Sequence, residues 1–503
     1  MAGLMLIVLP SLAGAQAIIV SPKPDKVAVT VYRDPYGSGA MELSWLGGFA
    51  LITETRRVSL PAGEVDLRFE GVAGGLIPQS AVVSGLGDAV SEKNRDAKLL
   101  SPGTLIDAYL GQRVHLRRTS KETGKVTEQN AIVRASGDGI VVQTETGIEA
   151  LRCTGQSETL LAPGVPAELS AKPTLSVRAR SDRPVEADVT LTYLTSNFDW
   201  RAHYVATLAP DGKTLSLFAW LTLANGDDTG FANADTMAVA GRLNREYAAR
   251  LQPETRPIAL NCWPSGTTSD SDDDEANDSP YPPPLPPPPP PAATAERGES
   301  IVVTGSRIMA QREDLGDLKL YRIPIPVTVA SRSQKQVALL ERPSAKVTDM
   351  FRWNSSFAND SGESQPAQRL LKMDNRQANG LGLPLPAGSF TLFTMRDGQP
   401  FLLGEGRMTD RAVGEMVEVA LADAPGVRVM QAQADRPGKD QAATVTVSND
   451  QSETVRFEAR FGDDGKLLKV SGGALKRVDG HWLWATTIPA NSSRTLTFRY
   501  RSN

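Results

Sequence analysis

Histidines, carboxylates and nucleophile motifs are where chemistry would begin in this chain, and they are sparse. The three histidines are His115, His203 and His481. None has a second ligand at the spacing zinc sites use, so a metal or acid–base centre would need three distant segments to converge. No GxSxG elbow, P-loop or complete GxGxxG occurs. Gly85-Leu86-Gly87 begins the last pattern and lacks its third glycine. The acidic run Asp270-Ser271-Asp272-Asp273-Asp274-Glu275 lacks the glycine and terminal glutamate of a calcium loop. It suits loose screening by cations. The expectation is therefore no metal, no cofactor and no assigned catalytic residue. If the chain were an enzyme on glycans, Asp199, Asp227 and Asp228 would be its first carboxylates, and two of them about 5–10 Å apart in a groove would suit glycoside hydrolysis. The competing expectation is turn chemistry, because Asn225-Gly226-Asp227-Asp228 is a turn sequence.

Aromatic residues offer a second kind of site. In NFDWRAHY (197–204), Trp200 and Tyr204 are four apart. On a strand that spacing puts both on one face. They are expected to anchor a core, with neighbouring LTYL and YVATL runs as apolar company. The alternative is a platform for a sugar, with Asp199 as a polar contact. A third candidate is the β-branched stretch Ile301, Val302, Val303 and Thr304. Such a strand could add to the open sheet edge of a partner, or pair within its own sandwich.

These residues are carried by a chain of 503 residues, long enough for several domains with real cores. The net charge is −4, and six acidic side chains lie between Asp270 and Asp278. The remainder is close to neutral, so no basic field exists for nucleic acid or anionic lipid. The run TSDSDDDEANDSPYPPPLPPPPPPAATAER passes from acidic to nearly pure proline. It can neither bury apolar surface nor join a sheet, which predicts a disordered linker over 263–297. At the start, Leu4 to Leu12 is apolar and is followed by Ala13-Gly14-Ala15. This is the core and small-residue cleavage pattern of a secretory signal, without a basic leader. It predicts export to a periplasm or beyond the cell. No later run approaches the ~18 unbroken apolar residues of a membrane span. Cys153 and Cys262 would meet an oxidising compartment, either paired or as separate thiols.

Elsewhere the chain alternates with strand period, and Gly, Pro, Asn and Asp punctuate it. The predicted class is all-β, with several sandwich or small-barrel domains. A signal peptide over 1–17 precedes an N-terminal β domain over 18–90. A barrel-like unit follows over 100–160, including the run LIDAYLGQRVHLRR. A central sandwich is split between 165–262 and 298–435, and an Ig-like sandwich occupies 436–503. Hairpins are signalled at Asp211-Gly212 and Asp397-Gly398. The best helix candidate is 242–254.

The order of these pieces resembles the bacterial DUF4139 family, described as mucoidy inhibitor-like. The resemblance rests on VTVYRD (29–34), SLPAG (59–63) and FEGVAGGLIPQSAVVSG (69–85). Its centre is LTYLTSNFDWRAHYVATL (191–208), with NGDDTGF (225–231) and IPIPVTVASRSQKQVALL (323–340). LPAGSFTLF (385–393) and VTVSNDQSETVRFE (445–458) complete it. Members often carry a long coiled coil after the first β domain, for which residues 88–104 leave no room. The resemblance implies a β-rich envelope protein and supplies no catalytic residues. Separately, GESIVVTGSRI (298–308) resembles the entry segment of TonB-dependent outer-membrane receptors, although the scarce aromatics do not suit a large membrane barrel. The expected function is non-catalytic binding or scaffolding in the envelope, contacting protein or polysaccharide. The alternative is the glycan-acting enzyme.

Overall fold

The computed structural model describes residues 17–502, apart from 38–39, 87–89, 97–98, 121–122, 137–138, 152–156, 167–168, 242, 244–308, 317, 361, 435–439 and 463–464. The expected signal segment up to residue 16, the expected linker, the helix candidate beyond Leu243, both cysteines and Ile301–Thr304 thus lie outside the described residues. The protein is all-β. Among the described residues no sheet closes into a barrel, and no helix is long and apolar enough to cross a membrane.

Strands dominate because β-branched and aromatic residues recur with period two between turn residues. The described chain forms two compact units, one from 17–27 and 52–195, the other from 28–51, 196–243 and 309–502.

In the first unit, Gly63–Glu70 is flanked by Ala17–Ser21, parallel, and Thr174–Ser181, antiparallel. Val90–Asp96 pairs on the far side of Thr174–Ser181. The run at 174–181, expected in the central sandwich, therefore completes an N-terminal sheet. The unit expected as a small barrel or a curled sheet is an open antiparallel sheet. Its order is Ile148–Leu151, Ile140–Gln143, Val126–Ala135, Arg113–Thr119, Ser157–Leu161. One helix, α1 (Pro102–Ala108), packs Ile106 against Val114, Leu116 and Val133 of this sheet. Within the run LIDAYLGQRVHLRR (105–118), expected as part of a β unit, residues 105–108 are helical, while Arg113 onward is the strand Arg113–Thr119. Ser101 caps the helix, its hydroxyl accepting from Thr104 N at 3.3 Å, while Pro102 occupies the first turn.

A polar group is sealed inside this first unit. The strand Phe49–Leu60 buries alternate residues, and Glu54 and Arg56 fall on its buried side. Arg56 donates to Glu54 Oε2 at 2.9 and 2.6 Å, and to the carbonyls of Ser21 (2.6 Å) and Glu70 (2.9 Å). The Tyr193 hydroxyl donates to Glu54 Oε1 at 2.7 Å and accepts from Ala73 N at 3.1 Å. Burial pushes the Glu54 carboxyl up, against the pull of Arg56.

The second unit is built from both sides of the 244–308 segment. Its labelled strands are β1 (Phe198–Leu208), β2 (Thr214–Asn225), β3 (Phe231–Ala240), β4 (Ser333–Lys346), β5 (Gly388–Arg396) and β6 (Gln399–Met408). The order β4-β2-β1-β5-β6 opens the large sheet, with β1 and β5 parallel. β3 lies in another sheet with Leu318–Arg322, antiparallel, and residues 28–32, parallel. The large sheet continues through Met416–Ala434, Gln365–Asp374, Thr348–Ser355 and Val455–Phe461. Met416–Ala434 also pairs with Asp440–Asn449, so the sheet runs through the expected boundary at 435/436. An aromatic core of Trp353, Phe357, Phe457, Phe461, Trp484 and Phe498 joins strands from both sides of that boundary.

Candidate functional site

The large sheet of the second unit has one face in the core and one outside, and the register of β1 separates them. Residues 198, 200, 202, 204, 206 and 208 are all buried. Trp200 and Tyr204 are fully covered there. Trp200 Nε1 donates to the Val239 carbonyl at 2.9 Å, and the Tyr204 hydroxyl to the Pro386 carbonyl at 2.7 Å. The Trp200 ring lies 5.7 Å from that of Tyr321, and the Arg33 guanidinium sits 5.9 Å from its centroid. Burial of Tyr321 pushes its hydroxyl up to about 12. These two anchors offer no surface to a sugar.

Asp199 points the other way and is nevertheless 1% exposed. Gly48 brings its backbone close to the start of β1, where a Cβ would stand 2.5 Å from the Phe198 carbonyl. Asp199 Oδ1 accepts from the backbone of Asp34 (2.9 Å) and Trp200 (2.8 Å), and Oδ2 from Arg201 (3.3 Å). Burial pushes its carboxyl up, while the Asp34 amide and Arg201 pull it down. The other two carboxylates are loop elements. Asp227 is buried, and its Oδ1 accepts from Thr229 N at 2.8 Å. Asp228 is exposed and pairs with Arg332. Asp199 and Asp227 are thus committed to backbone amides.

The histidines do not gather. His115 and His481 are exposed on separate strands. His203 stands on the outer face of β1, with Nδ1 2.5 Å from Ser389 Oγ. Among the described residues no three His, Cys, Asp or Glu side chains are grouped to hold a metal ion.

The outer face does hold aromatic side chains. Directly paired residues share a face of the sheet, so His203 lies beside Trp220 and Val205 beside Phe218. The Phe218 and Trp220 rings meet edge to face, centroids 4.8 Å apart and planes at 78°. Both are half-buried. The row continues from His203 to Ser389 on β5 and Arg407 on β6. The next row runs from Val205 to Thr391 and Glu405. Arg201 and Thr222 flank it on the far side. Ser389, Glu405 and Arg407 are exposed. The result is an aromatic pair surrounded by hydroxyl, imidazole, guanidinium and carboxylate groups on rigid strands. Chemically it suits a ligand with apolar C–H faces and many hydroxyls.

This face was not among the sequence candidates. Its signal is the parity of TLSLFAWLTLAN (214–225). Leu215, Leu217, Ala219 and Leu221 take one face, so Phe218 and Trp220 take the opposite one. No protein-family model matches the chain, and no curated protein sequence does.

Proposed function

We propose that this chain is an exported, non-catalytic binding protein of the bacterial envelope, as its resemblance to the DUF4139 family implies, and that it holds polysaccharide. The ligand lies on the outer face of β2, β1 and β5. The observation that carries this is the Phe218–Trp220 pair on the solvent side of the sheet, beside His203, Ser389 and Arg407. An aromatic pair left outside a core is costly to leave wet and profitable to cover. A pyranose ring covers it with C–H groups while its hydroxyls reach the polar row. Mixed charge from Glu405 and Arg407 favours a neutral or zwitterionic glycan over a polyanion.

The test is affinity electrophoresis of the full chain through gels containing neutral or acidic bacterial exopolysaccharides, with peptidoglycan pull-down alongside. Retardation by a neutral polysaccharide supports the proposal. Free migration through every gel, with a single envelope protein captured instead, replaces glycan by a protein partner. Export is tested separately: the secreted chain should begin near Gln16 or Ile18, and an uncleaved cytoplasmic chain would contradict it.

A further inference from the structure

The first unit contains a cavity that the polysaccharide proposal does not use. It lies between α1 and the five-stranded sheet and has a volume of about 480 Å³. Leu100, Leu105, Ile106, Ile140, Leu151 and Leu160 supply its apolar wall. The volume falls within the ~300–1,000 Å³ of small-molecule sites.

Its few polar neighbours are already engaged. The Ser101 backbone N–H donates to the Thr104 hydroxyl at 2.8 Å, and the two hydroxyls lie 2.9 Å apart. Thr159 is exposed at the rim. Glu158 accepts from Arg118 Nε at 2.9 Å. None of the lining side chains has a buried polar atom without a partner. A site of this kind does not hold ordered water well and rewards an apolar occupant.

The end marked by Glu158 fixes the sign of the occupant's head. Arg118 also binds Glu149, at 2.5 Å, so one guanidinium serves two carboxylates. That end carries an excess negative charge and disfavours an anionic head.

We infer that this cavity binds the hydrocarbon tail of an amphiphile whose head is cationic, with the head beside Glu158. Dodecyltrimethylammonium and dodecanoate, both below their micellar concentrations, are the probes. Titration calorimetry of the full chain should show a saturable site for the cation and weaker binding of the anion. Leu105→Trp, which fills the cavity, should weaken the cation at least about tenfold, equivalent to ~1.4 kcal/mol. Leu160→Trp should do the same and serves where the first variant melts early. Glu158→Gln should narrow the gap between the two probes. Absence of cation binding, or binding unchanged in both tryptophan variants with native melting curves, would overturn the tail site. Equal or tighter binding of dodecanoate to the unmodified chain would overturn the assignment of the head. Neither result bears on polysaccharide binding by the second unit.

Discussion

Phe218 and Trp220 stand two residues apart on β2 and touch edge to face, centroids 4.8 Å apart, on the side of the strand that the core does not use. Trp200, on the neighbouring strand, faces inward. Two tryptophans of one sheet therefore carry different duties, and substitution separates them.

Trp200→Ala should cost about 3–5 kcal/mol, from lost burial and an unfilled cavity. It also strips the Val239 carbonyl of its partner. Tyr204→Phe removes only the bond to the Pro386 carbonyl and should cost about 1 kcal/mol. Denaturant unfolding followed by circular dichroism measures both. A Trp200→Ala protein as stable as its parent would contradict the core assignment.

The buried Glu54–Arg56 pair gives the first unit a charge that cannot be left alone. Arg56→Met strands Glu54 and frees the carbonyls of Ser21 and Glu70. It should destabilise by about 3–5 kcal/mol. Replacing both residues, Glu54→Leu with Arg56→Met, should be less harmful than Arg56→Met alone. Hydrogen exchange across Ala17–Ser21 and Gly63–Glu70 would report the loosening locally.

In the second unit Arg352 grips both oxygens of Glu418, at 2.7 and 2.8 Å, and holds its carboxyl down at about 2. Arg460 and Lys372 add to the effect. A carboxyl depressed on folding stabilises the fold above its ordinary range near 4.5, and that contribution is lost as pH falls through about 2. Melting temperature should therefore decline between these values. Glu418→Gln should flatten that acid limb while lowering stability at neutral pH. An acid limb identical to that of the parent would remove Glu418 from the explanation.

The all-β class was legible because the period-two pattern and turn residues agree over most of the chain. Asp397 and Gly398 illustrate it. Both take positive φ, 51° and 77°, as a two-residue hairpin between Arg396 and Gln399 demands. Helix α1 was hidden by its length: seven residues are too few to show helical periodicity, although Ser101-Pro102 marks its start. Partner choice was also hidden. Nothing local to Thr174–Ser181 says that it pairs with Gly63–Glu70, more than a hundred residues earlier. At the site, the aromatic residues at 200 and 204 drew attention because they sit in a distinctive motif. Phe218 and Trp220 sit in a run so apolar that their opposite parity is easily passed over. Glu54 and Arg56 fall on the buried side of their strand because they share the parity of Ala50, Ile52, Val58 and Leu60.

The most direct test of the binding face is the dissociation constant of Trp220→Ala for a polysaccharide that the unmodified chain retains, measured beside its melting temperature. Trp220 is half-buried and loses its edge-to-face contact with Phe218 together with part of its apolar burial, so the stability cost should be about 1–2 kcal/mol. The account predicts a loss of affinity of at least about tenfold, or ~1.4 kcal/mol, with a near-native melting curve. Phe218→Ala should behave alike. Undiminished affinity in both folded variants would contradict the account and place the glycan elsewhere on the molecule.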